Sequence, residues 1–212
     1  MGIIDSGILG PFRKKIGPAI GRRHMGQNLI LPLYHKTTKP PTENQIDKQD
    51  KFGMLNGLLN KMKRFVEPGF KAYARKKSAR NAAYSYNYAH AFVEVEGQTM
   101  INFPMLVLSR GNVAKPDGLK VDRQGNQLNF TWQSQRQSAS CLFTDLASFL
   151  VYNPVKKRVT LRSRIVSRYE GIFSMVLTDN TAGDELHCYL SFSTADGKAV
   201  GNSKYIGAPA LE

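Results

Sequence analysis

Side chains able to do chemistry are concentrated in positive clusters. Arg13, Lys14 and Lys15, then Arg22 and Arg23, then Lys61, Lys63 and Arg64, and finally Arg75, Lys76, Lys77 and Arg80 crowd the first part of the chain. Lys and Arg at this density make phosphate contacts, and Phe12, His24, Tyr34, Phe70 and Tyr73 interleave with them as rings able to stack on unpaired bases. These residues are the candidate nucleic-acid-binding set. Residues 1–82 hold 17 Lys+Arg against 5 Asp+Glu, a net +12, whereas residues 83–212 hold 13 against 11, a net +2. The formal charge of +14 over 212 residues therefore belongs to one region. Such asymmetry points to a nucleic acid, an acidic membrane or an acidic protein as partner.

Catalytic patterns are missing. The sequence has no GxxxxGK[ST], GxSxG or HExxH motif and no GxGxxG after a strand. His24, His35, His90 and His187 fall in different predicted elements, with no carboxylate pairing that suggests a metal site or a proton relay. Cys141 and Cys188 lie far apart, which excludes a CxxC motif and predicts two buried free thiols. Asp179, Asp184 and Glu185 read as a polar hairpin loop rather than a cation site. The expectation is a protein that is not an enzyme and carries no metal or cofactor.

The elements that hold these residues follow from composition and period. Residues 1–39 contain six glycines and three prolines, which oppose a long helix, so they predict an extended basic arm. Within it, Lys15 to Gly21 and Gln27 to Leu33 suit a short hairpin around Arg22 to Gly26, marginal on its own and needing a partner for order. Residues 40–82 form a helical linker region. Thr42 with Gln45 makes a capping box, and Phe52, Leu55, Leu59, Met62 and Val66 define a buried stripe on a helix that Pro68-Gly69 ends. Phe70 to Arg80 is also helix-compatible, with Lys71 over Arg75 and Lys76 over Arg80 as unfavourable like-charge pairs.

Residues 83–212 are expected to be a β-sandwich domain. Residues 83–96 alternate tyrosines with small residues, which favours a strand, while the alanines leave a helix open. Further strands are predicted at Thr99 to Leu108, Leu119 to Arg123, Asn126 to Gln133, Ala147 to Tyr152, Val159 to Arg164, Gly171 to Leu177, Leu186 to Ser193 and Ala199 to Ile206. Short strands at this spacing indicate a mainly β, immunoglobulin- or fibronectin-like antiparallel sandwich, with Trp132 as core anchor. Trp132 precedes both cysteines, so the fibronectin-like variant fits better.

Several motifs together resemble an uncharacterised family of Bacteroidota proteins, domain of unknown function 6266. They are Gly7 to Phe12, Lys15-Ile16-Gly17 with Gly21, Pro41-Thr42 through Gln45 to Lys51-Phe52, Gly69-Phe70, Asn81-Ala82, Leu108 to Gly111, Thr131-Trp132, Val151 to Asn153 and Ser203 to Ile206. The resemblance spans nearly the whole chain and implies the same layout without a known activity. Leu31 stands where the family pattern places an arginine before the proline.

Together these features predict a non-enzymatic structural subunit of a self-assembling particle or filament, phage-like in character. It would be a homo-oligomer whose basic region orders on neighbouring subunits or nucleic acid. The first alternative is a non-specific nucleic-acid-binding module, and the second a surface or carbohydrate-binding adhesin. No apolar run approaches the roughly 20 residues of a membrane span, and no Sec signal pattern opens the chain. The expectation is synthesis in the cytoplasm, with a place in a virion or extracellular assembly.

Overall fold

The computed structural model describes residues 2–3, 12–24, 26–35, 38–178 and 183–207. These are mainly β, in four antiparallel sheets with three α-helices. The chain divides into two compact units, Met1–Asp47 and Lys48–Glu212.

In the first unit the strands are β1 (Gly2–Ile3), β2 (Lys14–Ile16), β3 (Ala19–His24) and β4 (Gln27–Pro32), ordered β1-β4-β3-β2. The sequence suggests an arm with at most a hairpin; the described residues pair as a four-stranded sheet. The predicted strand from Lys15 to Gly21 is interrupted because Gly17 (φ +55°) and Pro18 close a two-residue turn between Ile16 and Ala19. Arg22, Arg23 and His24 stay in strand, because Gly26 (φ +83°) moves the second turn downstream of them. Leu29 is the one buried apolar side chain among this unit's described residues, and Ile3, Ile16 and Tyr34 are exposed.

Thr42 caps α1 (Glu43–Lys61) as the sequence suggests: Gln45 N–H donates to Thr42 Oγ1 at 3.4 Å and Thr42 N–H to Gln45 Oε1 at 3.0 Å. α1 runs from the first unit into the second. It stops five residues before Val66, where the predicted stripe ends, and α2 (Lys63–Gly69) follows. Leu55, Leu59, Met62 and Val66 are buried as the stripe predicts, whereas Phe52 is 52% exposed. Phe70 to Arg80 is not a continuous helix. A 3₁₀ turn at Lys71–Tyr73 gives way to a loop, and α3 (Ala79–Asn87) begins afresh with Ser78 Oγ accepting the Asn81 N–H at 3.1 Å. Breaking the helix removes the like-charge stacking that a continuous one would impose.

Residues 83–96 are therefore split, with α3 ending at Asn87 and β5 (Phe92–Val95) pairing with β6 (Gln98–Ile101). The alternating tyrosines look strand-like, but Ala82 and Ala83 are small enough to be buried against neighbouring helices, and burial outweighs local alternation. Asn87 pins the helix end: its Nδ2 donates to Ala83 O and Val107 O, and its Oδ1 accepts Val107 N–H at 2.8 Å. That bond holds residues 106–108 outside a strand, so the predicted strand Thr99 to Leu108 ends at Ile101.

The remaining strands are β7 (Asp117–Gln124), β8 (Gln127–Gln133), β9 (Leu146–Asn153), β10 (Arg158–Ser167), β11 (Ile172–Val176), β12 (His187–Ser193) and β13 (Lys204–Gly207). They form one sheet ordered β11-β8-β7 and another ordered β10-β9-β12-β13. Alternate side chains of β9 and β12 enter two different cores. Phe149, Val151, Leu190 and Phe192 join Leu128, Phe130 and Trp132 of β8. Leu150, Tyr152 and Tyr189 join Leu59, Phe65 and Phe70 of the helical segment. The β9–β12 pair is thus covered on both faces, and β12 is buried along its whole length.

Candidate functional site

In the first unit, strand geometry divides the predicted cations between two faces. Arg22 pairs with Leu29 and Arg23 with Asn28, so these sequence neighbours project to opposite sides of the sheet. Lys15, opposite Ile20, shares the face of Arg22, while Lys14 stands opposite Gly21, two positions before Arg23. All four, with Arg13, are exposed. A cluster in sequence is therefore not one patch here; the sheet offers positive charge on both sides.

In the second unit Lys63 pairs with Glu67 at 3.7 Å, and Arg80 donates to Asn60 Oδ1 at 2.9 Å, linking α3 to α1. Lys61 and Arg64 line one cavity with Val159 and Leu161 of β10. Arg75, Lys76 and Lys77 occupy the loop before α3, where Lys76 takes φ +55°. Of the twelve predicted cations, only Lys63 and Arg80 have a side-chain hydrogen bond or ion pair among the described residues.

The aromatic part of the predicted surface changes more. Phe70 is 1% exposed and fills the helical core, so it cannot meet a base. Tyr73 carries the Arg110 guanidinium over its ring at 4.3 Å, and Tyr86 carries the same group at 4.5 Å. Tyr34, 79% exposed, remains open to stacking.

Elsewhere the reactive groups are tied into structure. Burial keeps His187 below its ordinary value, against the opposing pull of Glu185; its Nδ1 lies 3.0 Å from Tyr205 Oη, and its ring stacks on Phe103 at 3.7 Å. Cys141 and Cys188 are buried free thiols, and burial pushes Cys188 up to about 12, far from a reactive thiolate. Asp179 lies outside the described residues. Asp184 is held below the usual carboxylate range first by the Asn153 amide, which donates to it at 2.7 Å, and Lys156 sits 3.2 Å away. Its charge is matched by protein groups. Among the described residues no three His, Cys, Asp or Glu side chains converge as metal ligands. No helix among them is long and apolar enough to cross a membrane.

One buried constellation had no sequence signal. Arg168, 1% exposed, donates through Nε and a terminal nitrogen to Asp145 Oδ2 at 3.2 Å, to Gln135 Oε1 at 2.6 Å and to Ala114 O at 2.8 Å. Its guanidinium lies 3.8 Å from the centre of the Phe192 ring, and its carbonyl accepts Trp132 Nε1–H at 2.8 Å. Both charges are satisfied within the protein, so the pair holds the loops around the β8 core together and leaves no reactive group exposed.

The model of a family of unknown function, DUF6266, matches residues 11–207. No curated protein matches the chain.

Proposed function

The chain belongs to that family of unknown function, and within it we propose that this protein is a non-enzymatic structural subunit that self-associates through its first unit. The carrying observation is a four-stranded sheet with a single buried apolar side chain, Leu29, among its described residues. A sheet this small gains too little from its own burial to offset the conformational entropy of ordering it, so a neighbouring surface is the natural source of stability. In this reading β7 to β13 are a fibronectin-like sandwich serving as the scaffold. Its support is the pair of strand orders, β7-β8-β11 and β10-β9-β12-β13, around one shared core. Light scattering and negative-stain microscopy of the full chain test the proposal. Particles or filaments are expected, lost on truncation after Lys39; a monomer at high concentration, with or without nucleic acid, overturns it.

A second reading, a nucleic-acid-binding module, is favoured by the ten predicted cations that have no side-chain partner among the described residues. If roughly 6 to 10 cations met phosphates, affinity would fall by about 10³ to 10⁵ between about 50 and 200 mM salt. Flat salt dependence refutes this reading. Loss of nucleic-acid binding with unchanged assembly after the same truncation favours it over the first.

A further inference from the structure

Four donors that the sequence scatters over a hundred residues converge beside a bulge in β10. This strand pairs with β9 up to Arg162 and resumes at Val166, leaving Ser163, Arg164 and Ile165 out of register. In the bulge Arg164 has a φ of +55°, uncommon for a side-chain-bearing residue, and its surroundings help to hold it there. They do so here from both ends. Its N–H donates to Ser148 Oγ at 3.0 Å, and a terminal guanidinium nitrogen donates to Ala195 O at 2.6 Å. The guanidinium also packs on Gly197, where an added Cβ would lie 2.9 Å from a guanidinium nitrogen. Asp196 braces this turn by accepting Thr194 Oγ1–H at 2.6 Å and Lys198 N–H at 3.0 Å. A bulge that aims one side chain is a recurrent feature next to binding sites.

Arg164 borders a cavity of about 110 Å³, and Arg64 of α2 borders it too. Arg64 makes no hydrogen bond or ion pair among the described residues. Ser163 likewise has no side-chain partner among them, and the Ser148 hydroxyl, which accepts from Arg164, has no acceptor for its own proton. At the floor, Ser109 Oγ donates to Gly201 O at 2.7 Å and Ser191 Oγ to Ser109 Oγ at 3.2 Å, so those protons are used internally. None of the residues lining the cavity is Asp, Glu or His. Two guanidinium groups and two free hydroxyl donors without a carboxylate make a surface that attracts negative oxygen and offers a cation nothing.

We propose that this cavity binds a phosphate-sized oxyanion, held by Arg64 and Arg164 with Ser148 and Ser163 completing its hydrogen bonds. At roughly 30 Å³ per water, the space is large enough for a group of a few heavy atoms such as a phosphate. The anion is either free phosphate or the terminal phosphate of a polymer, and the chemistry that recognises both is the same. The assignment does not depend on the assembly or nucleic-acid readings.

Titration calorimetry of the full chain with inorganic phosphate, at about 0.15 M sodium chloride to screen loose surface binding, tests it. Saturable binding of one phosphate per chain is expected, weakened about tenfold or more by Arg64→Gln and by Arg164→Gln, because each removes a charge-assisted contact. Arg136→Gln, in the exposed loop after β8 and away from the residues lining the cavity, leaves it unchanged. Arg64→Gln removes no hydrogen bond or ion pair within the described residues, so its unfolding midpoint should stay near the wild-type value and it decides the matter even if Arg164→Gln is unstable. Absence of saturable binding, or an Arg64→Gln chain that binds as the wild type does, overturns the assignment. Oligonucleotides with and without a 5′-phosphate separate the sources: a clear preference for the phosphorylated end supports a polymer terminus, and equal affinity supports the free ion. Nucleic-acid binding that survives both arginine substitutions leaves the basic-surface reading standing while phosphate titration alone judges the cavity.

Discussion

The first unit and the β9–β12 sheet of the second are both antiparallel, yet they are stabilised in opposite ways. β12 is buried at every residue, with one face against Trp132 and Phe130 and the other against the helices. The sheet of β1 to β4 has Leu29 as its one buried apolar side chain among the described residues and exposes Arg22, Arg23 and His24 in succession. Backbone pairing alone does not make a sheet stable; apolar burial does most of that work, and here it is unevenly distributed. Charge does not follow this contrast: residues 1–47 hold 7 Lys+Arg against 3 Asp+Glu, a net +4, whereas residues 48–82, whose helices share a core with β9 and β12, hold 10 against 2, a net +8.

Hydrogen exchange probes the comparison most directly. Amides of β12 are expected to exchange only through global opening, and those of β3 and β4 in the free chain about 10³-fold faster or more. Equal protection would remove the contrast on which the assembly proposal stands. Next in size is Asp145→Ala, which leaves the Arg168 guanidinium buried without its carboxylate and should cost about 3–5 kcal/mol in denaturant unfolding. Ser78→Ala removes the cap of α3 and should cost about 1 kcal/mol in the same assay.

A pH effect comes from His187. Burial lowers its folded pKa below the ordinary 6.5, so the unfolded chain binds the proton more readily. Its contribution to stability is complete above that value and is lost as pH falls through it toward the folded pKa. Thermal melts of the wild type should drop across this window more steeply than those of His187→Phe; parallel curves would refute the assignment. At the small end, Ile16→Ser in the first unit should change the unfolding free energy by about 0.5 kcal/mol or less, since Ile16 is already 53% exposed. A loss above about 2 kcal/mol would mean that this sheet has more core than its burial indicates.

Legibility followed the range of the interactions. Thr42 with Gln45 announced a helix start because a capping box closes within three residues. Leu128, Phe130 and Trp132 announced a core-facing strand because alternation is local. The tyrosines of 84–88 misled because period two there reflects aromatic packing around α3, with Tyr84 and Tyr88 in ring contact at 5.5 Å, one helical turn apart. Phe70 looked like an exposed stacking ring among cations and is a core residue, since the loop after α2 turns it inward. Arg168 and Asp145, 23 residues apart, gave no pattern to read.

By itself the sequence determined the mainly β composition, the location of the excess charge in residues 1–82, the helix start at Thr42 and the core role of Trp132. Each of these depends on residue type or on neighbours a few positions away. Tertiary structure alone decided that Arg22 and Arg23 part to opposite faces, that the helices cover the second face of β9 and β12, and that Arg64 meets Arg164 across a serine-lined cavity. Those outcomes depend on strand register and on which surfaces meet, and both are set by burial over the whole unit rather than by any local run of residues.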